Sequence, residues 1–175
     1  MSERVTLDHP IFTRWPAKYA DRLQLFSAPT PNGVKVGIML EETSLAYEPH
    51  RIDIMADENH DPAFLALNPN GKIPAIYDPD GPSGTPLALF ESGAILLYLA
   101  DKTGQFISAD LNTRYETIQW VMWQMGGVGP MSARSASSTN SPARPMRTSA
   151  PATATQPNQR GCSVSSTNGS RAATG

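Results

Sequence analysis

Arg22-Leu23-Gln24-Leu25-Phe26, followed by Ser27-Ala28-Pro29-Thr30-Pro31-Asn32-Gly33, is the stretch on which the fold turns. Leu23 to Phe26 alternates and reads as a buried strand. Thr30-Pro31-Asn32-Gly33 is good turn chemistry and a good helix start, with the helix under way near Val34. The first turn of a helix has unbonded N–H groups and the positive end of the dipole, a setting that favours an anion such as a thiolate. No cysteine stands here, so the chain itself supplies no thiolate at this place.

Outward from this stretch, Val34, Ile38 and Leu45, with Val36, Met39 and Leu40 between them, predict a helix that ends after Glu42. Tyr47 to Ile54 predicts a second strand. Asp61-Pro62 opens a short helix as N-cap and first residue, carrying Phe64, Leu65 and Leu67. Asn68-Pro69-Asn70-Gly71 is a turn, Ile73 to Tyr77 a third strand, Asp78 to Pro86 a Gly/Pro-rich loop and Leu87 to Phe90 a fourth strand. Ser92 is expected to cap a helix bearing Ile95, Leu96, Tyr98 and Leu99, which Gly104 terminates. A last helix runs from Thr113 to about Met125; its Trp120 and Trp123, with Met125, read as core of a second domain. The expected organisation is an N-terminal arm (1–21) packing its aromatics onto the first domain, that domain (22–104), the start of an all-helical domain (105–130) and a tail (131–175).

The overall charge of −2 conceals an asymmetry. All 16 carboxylates and nine of the 14 basic residues fall in 1–130, which carries −7; residues 131–175 hold five arginines and no acid, giving +5. A single cysteine, Cys162, excludes an internal disulfide framework and a cysteine-based metal site. His9, His50 and His60 lack metal-like spacing and read as surface or loop residues, so no metal is expected. The first 15 residues show no secretory pattern, and the longest apolar run, Ala94 to Ala100, is far too short for a bilayer. A soluble cytoplasmic setting, without membrane or nucleic-acid partners, is the expectation.

After Pro130 the character changes. Residues 131–175 contain no Leu, Ile, Phe, Tyr, Trp, Lys, Asp, Glu or His. Such a segment cannot bury enough apolar surface to offset its chain entropy and reads as disordered. A basic interaction arm is one account of it. A shifted reading frame is the preferred one: codons permitted after Met131, read one base off, spell Phe-Gly-Gln-Val-Gly-Phe-Phe-His-Lys-Phe and later an amphipathic helix. The nucleotide sequence around the Met131 codon decides between them.

Four ordered blocks carry a resemblance: Thr30-Pro31-Asn32-Gly33 with Lys35-Val36, Met39-Leu40-Glu41-Glu42, Asn68 to Ile76, and Phe90 to Leu99. With this spacing residues 22–130 resemble the nu-class glutathione transferases, a bacterial group also similar to fungal prion-type regulators. The resemblance implies an α/β thioredoxin-like domain of order β-α-β-α-β-β-α, then the start of an all-α domain. It further implies that glutathione is bound as cofactor, that its thiolate reduces a small-molecule disulfide or attacks an electrophile, and that the parent family is homodimeric. Family members continue with further helices where this chain has its polar tail.

Carried over residue by residue, Thr30 and Asn32 are the expected contacts to the sulfur, lowering a thiol pKa that is about 8.5 when free. A plain turn is the alternative there. Ile73 and a cis Pro74 would pair with the tripeptide as a short strand, unless the proline merely begins an edge strand. Ser92 would offer its hydroxyl and the helix N–H groups to the γ-glutamyl carboxylate, or serve as a cap alone; Glu91 would accept from the γ-glutamyl ammonium. Lys72 either reaches the glycyl carboxylate or is solvated, and Asn59 or His60 gives a further polar contact. A glutathione-dependent thiol-disulfide oxidoreductase or transferase is therefore the first reading, and a non-catalytic glutathione-binding or regulatory module the second.

Overall fold

The computed structural model describes residues 7–131. Its four strands are β1 (Leu23–Ser27), β2 (Tyr47–Arg51), β3 (Ala75–Asp78) and β4 (Leu87–Phe90), in the sheet order β2-β1-β3-β4. β1 and β2 are parallel, whereas β1–β3 and β3–β4 are antiparallel. The helices are α1 (Pro31–Glu42), α2 (Pro62–Leu67), α3 (Ser92–Thr103) and α4 (Leu111–Trp123). This is the expected thioredoxin-like order. The expected disordered or frameshifted 131–175 segment falls, Met131 apart, outside the described residues.

Both sheet faces are buried, as a strand with period-2 alternation and apolar residues on each side requires. Leu23, Leu25 and Ile76 pack with Val36 and Leu40 of α1 and Ile95 and Leu99 of α3. Phe26, Ala75 and Tyr77 face the other way, onto Ile11, Ile52, Phe64 and Leu67. Trp15 and Phe12 pack against this second cluster, so the arm from residue 7 onward does lay its aromatics on the domain.

Several expectations are corrected. α1 buries Val36 and Leu40, not Val34 and Ile38, which are exposed: the i, i+4 pair that meets the sheet is set by where the helix starts, at Pro31. The second strand ends at Arg51, because Asp53 caps a 3₁₀ turn over Ile54–Ala56 by accepting from the Met55 and Ala56 N–H groups. The third begins at Ala75, after Pro74. His50 is no loop residue; it sits in β2, stacked on Phe26 at 4.5 Å, with Nε2 2.7 Å from Gln24 Oε1. Trp120 and Trp123, edge to face at 5.5 Å, are 62% and 59% exposed rather than core.

At the end of the sheet where β3 finishes, Asp78 is buried. It accepts from the Tyr98 hydroxyl at 2.5 Å and pairs with Lys102 at 2.9 Å, which ties α3 to β3.

Burial pushes the His50 pKa down, against the opposing pull of Glu48. A histidine held neutral in the fold adds stability that is complete above its unfolded pKa of about 6.5 and is lost as pH falls through the lower folded value. His9 is lowered by burial too, so the loss has two sources. His50→Gln should therefore lose less stability than the parent between pH 7 and pH 5 in urea unfolding, while His9 keeps the remainder.

Candidate functional site

Main-chain register places the site. Phe26 of β1, Ala75 of β3 and Phe90 of β4 form one row across the sheet. Because β3 is antiparallel to both neighbours, the chain leaves β1 and β4 at the edge where it enters β3. Thr30–Asn32, Ile73–Pro74 and Glu91–Ser92 therefore emerge along one border, though they are widely separated in sequence.

Thr30 is the N-cap of α1, with extended backbone, and its hydroxyl oxygen accepts from the Gly33 N–H at 3.2 Å. That bond uses a lone pair and leaves the hydroxyl proton to donate. Asn32 is exposed in the first turn, where N–H groups lack partners within the helix. Gly33 is compulsory: a Cβ there would lie 2.2 Å from the Ala28 carbonyl oxygen and 2.4 Å from Ser27 Oγ. Cavities flank the Ala28–Pro29 bend. One, of about 190 Å³, lies between Thr30 and the Arg51–Met55 segment; the other, of about 350 Å³, lies between α1 and β2.

The Ile73–Pro74 peptide bond is cis, as expected. Ile73 precedes the sheet ladder, which β3 joins at Ala75, and its side chain leans on the core. Two asparagines hold the approach to it. Asn68, buried, donates to the Lys72 carbonyl at 2.6 Å and accepts from the Asn70 N–H at 3.0 Å. Asn59 donates to the Gly71 carbonyl at 2.8 Å, while its Oδ1 is buried with no hydrogen-bond partner among the described residues. Lys72 is exposed. His60 is engaged elsewhere, 2.5 Å from Asp57.

At the third block the expected cap is corrected. Glu91 is the N-cap of α3, in a positive-φ conformation (φ 70°, ψ 110°), and its side chain makes no capping bond. Ser92 is the first helical residue, 3% exposed, and its hydroxyl donates to Met125 Sδ at 3.6 Å. The sharp bend at Glu91 replaces the capping geometry and leaves its carboxylate exposed beside the helix start.

Sequence reasoning missed the part that four residues play. Asn68 was read only as turn chemistry, although an Asn before a Pro is well placed to bond its own loop. Lys35 reaches from α1 to Gln124 Oε1 at 2.8 Å and Met125 Sδ at 3.0 Å. Gln124 and Met125 begin a π-helical turn, Gln124–Val128, and Met125, expected in the core of a second domain, instead meets Lys35 and Ser92. Among the described residues no group of three or more His, Cys, Asp or Glu is placed to hold a metal, and no helix is long and apolar enough to cross a membrane.

Comparison with known proteins settles the family of this domain. Residues 21–101 match the glutathione S-transferase N-terminal domain. Residues 21–101 are a glutathione S-transferase N-terminal domain. This chain is similar to the disulfide-bond oxidoreductase YfcG of Escherichia coli K12, at 51% identity over 102 residues, which takes in 57% of this chain and 46% of that one. It is similar in structure to a glutathione transferase from Burkholderia graminis with two glutathione molecules bound per subunit: TM-score 0.73, 61% identity, 75% of this chain and 55% of that one. A glutathione transferase from Pseudomonas putida, with one glutathione disulfide bound per subunit, gives TM-score 0.68 at 61% identity, covering 70% of this chain and 53% of that one. The chain thus spans about half the length of these relatives.

Gly33→Ala tests the seating of α1 in the transferase domain. With backbone oxygen 2.2 Å from the added carbon, the helix start has to move. The expected cost is about 1–3 kcal/mol in urea unfolding, against a gain of about 0.5–1 kcal/mol for Gly37→Ala in the helix interior, where the added carbon meets nothing within 4 Å.

Proposed function

We propose that this chain binds glutathione along the sheet border and works as a glutathione-dependent thiol-disulfide oxidoreductase or transferase. The observation that carries the proposal is the convergence of a cysteine-free helix start, a cis-proline loop and a charged helix start on one border, in a domain of the transferase family. The donor set fits a tripeptide. Ile73 lies outside the sheet ladder, where an extended peptide can pair with its main chain; Glu91 and Ser92 offer an acceptor and a donor for the γ-glutamyl head; Lys72 offers a cation for the glycyl carboxylate, and the buried Asn59 amide oxygen an acceptor for a peptide N–H.

Thr30 and Asn32 are the residues proposed to hold the sulfur. Hydrogen bonds from the Thr30 hydroxyl and the Asn32 amide or N–H, with the α1 dipole behind them, favour the thiolate over the thiol. When bound, the tripeptide supplies a thiolate that attacks one sulfur of a disulfide, the other sulfur leaving with the bonding pair and taking up a proton. The chain's own part is to bind, orient and hold that charge. A small-molecule disulfide or electrophile as substrate, a homodimer and a cytoplasmic setting belong to the same proposal, supported by the family resemblance.

Retention on glutathione resin and turnover of 2-hydroxyethyl disulfide test the two halves of the reading. A soluble chain that is not retained ends the cofactor claim, and retention without turnover favours a binding or regulatory module. Thr30→Ala should lower turnover by about tenfold or more, the loss of one hydrogen bond to a charged group. It should also move the rate-against-pH profile to higher pH, whereas Thr30→Ser keeps the hydroxyl and most of the rate.

A further inference from the structure

Lys35 and Ser92 stand on different helices and aim at one atom. The Lys35 ammonium is 3.0 Å from Met125 Sδ, and the Ser92 hydroxyl is 3.6 Å from it. A thioether is a weak acceptor, so two donors, one of them charged, converge on a partner that satisfies neither well. The remaining bonded partner of Lys35, the Gln124 amide oxygen, is no anion either. Gly93 makes room for the sulfur: a Cβ there would lie 2.8 Å from Met125 Cγ. Burial draws the Lys35 pKa down, and the nearby charge of Glu91 draws it up.

The start of α3 therefore displays an ammonium, a hydroxyl and a carboxylate in one cluster. That set is the complement of an α-amino-acid head group, which carries its own carboxylate and ammonium. We propose that Lys35 is a binding residue: with Ser92 it takes the α-carboxylate of a free amino-acid head group, displacing the Met125 thioether, while Glu91 takes the α-ammonium. The assignment of that head group to the γ-glutamyl residue rests on the function proposed above. Its new content is the direct role of Lys35 and the place-holding role of Met125. A carboxylate exchanges a poor acceptor for a charge-assisted bond to an ammonium, which is where the affinity comes from.

Calorimetric titration of the full chain with glutathione, and with cysteinylglycine, which lacks the γ-glutamyl residue, tests this. Lys35→Met should weaken glutathione binding about tenfold or more and leave cysteinylglycine binding at the parent value, and Lys35→Arg should recover part of the loss. Met125→Ala should tighten glutathione binding, since no thioether then has to be displaced. An unchanged glutathione affinity in Lys35→Met, or an equal loss for both peptides, overturns the role of Lys35 and leaves the cofactor reading standing. Should Lys35→Met fail to fold by circular dichroism, Met125→Ala decides alone: weaker or unaltered glutathione binding overturns the proposal. A parent chain that binds neither peptide removes both this inference and the reading beneath it.

Discussion

Two antiparallel registers meet at Ala75, and the whole candidate site depends on that meeting. Ala75 pairs with Phe26 on one side and Phe90 on the other, so loops separated by dozens of residues reach one border. A shift of one residue in either pairing would turn Ile76 toward the arm and Tyr77 toward α1, exchanging the two clusters that cover the faces. Both faces are buried, so such a slip is costly. The packing of Leu25, Ile76, Ile95 and Leu99 on one side thereby fixes the position of Thr30 and Glu91 at the rim.

Close approach does the fine placement. Gly33 lets the first turn of α1 settle against the Ala28 carbonyl, and Gly93 lets Met125 settle against α3. In each case a missing side chain lets another group come near a helix start, where free N–H groups gather. The two starts differ in what surrounds them. Thr30 gives α1 an uncharged cap, suited to the proposed sulfur anion, whereas α3 begins with Glu91 and has the Lys35 ammonium near it, so charges of both signs surround that start.

Much of this was legible in the residue order. Strand alternation, the Asp61-Pro62 helix start, the Gly104 stop and the four spaced blocks located every sheet strand and helix in the right sequence. Boundaries drifted where local capping won, as at Asp53, which ends β2 early by bonding its own following turn. Ser92 was misread because the residue type favours capping, while the positive φ of Glu91, which no residue-type rule anticipates, starts the helix one position sooner. His50 lies within the strand expected from Tyr47 onward, but its stacking on Phe26 is a tertiary contact that the residue type does not reveal. Lys35, Gln124 and Met125 escaped because their association is purely tertiary, across about ninety residues. Trp120 and Trp123 follow helical spacing, yet among the described residues their face stays open.

The absence of cysteine between residues 7 and 131 has a chemical corollary. Enzymes with a resident thiol at this helix start are silenced by alkylating agents, mercurials and over-oxidation, because the damaged sulfur is part of the polypeptide. A helix start built from Thr30 and Asn32 offers those reagents nothing to modify. Under the function proposed above, injury there would fall on a small, exchangeable peptide drawn from the surrounding solution, and the protein would be restored by simple replacement of it.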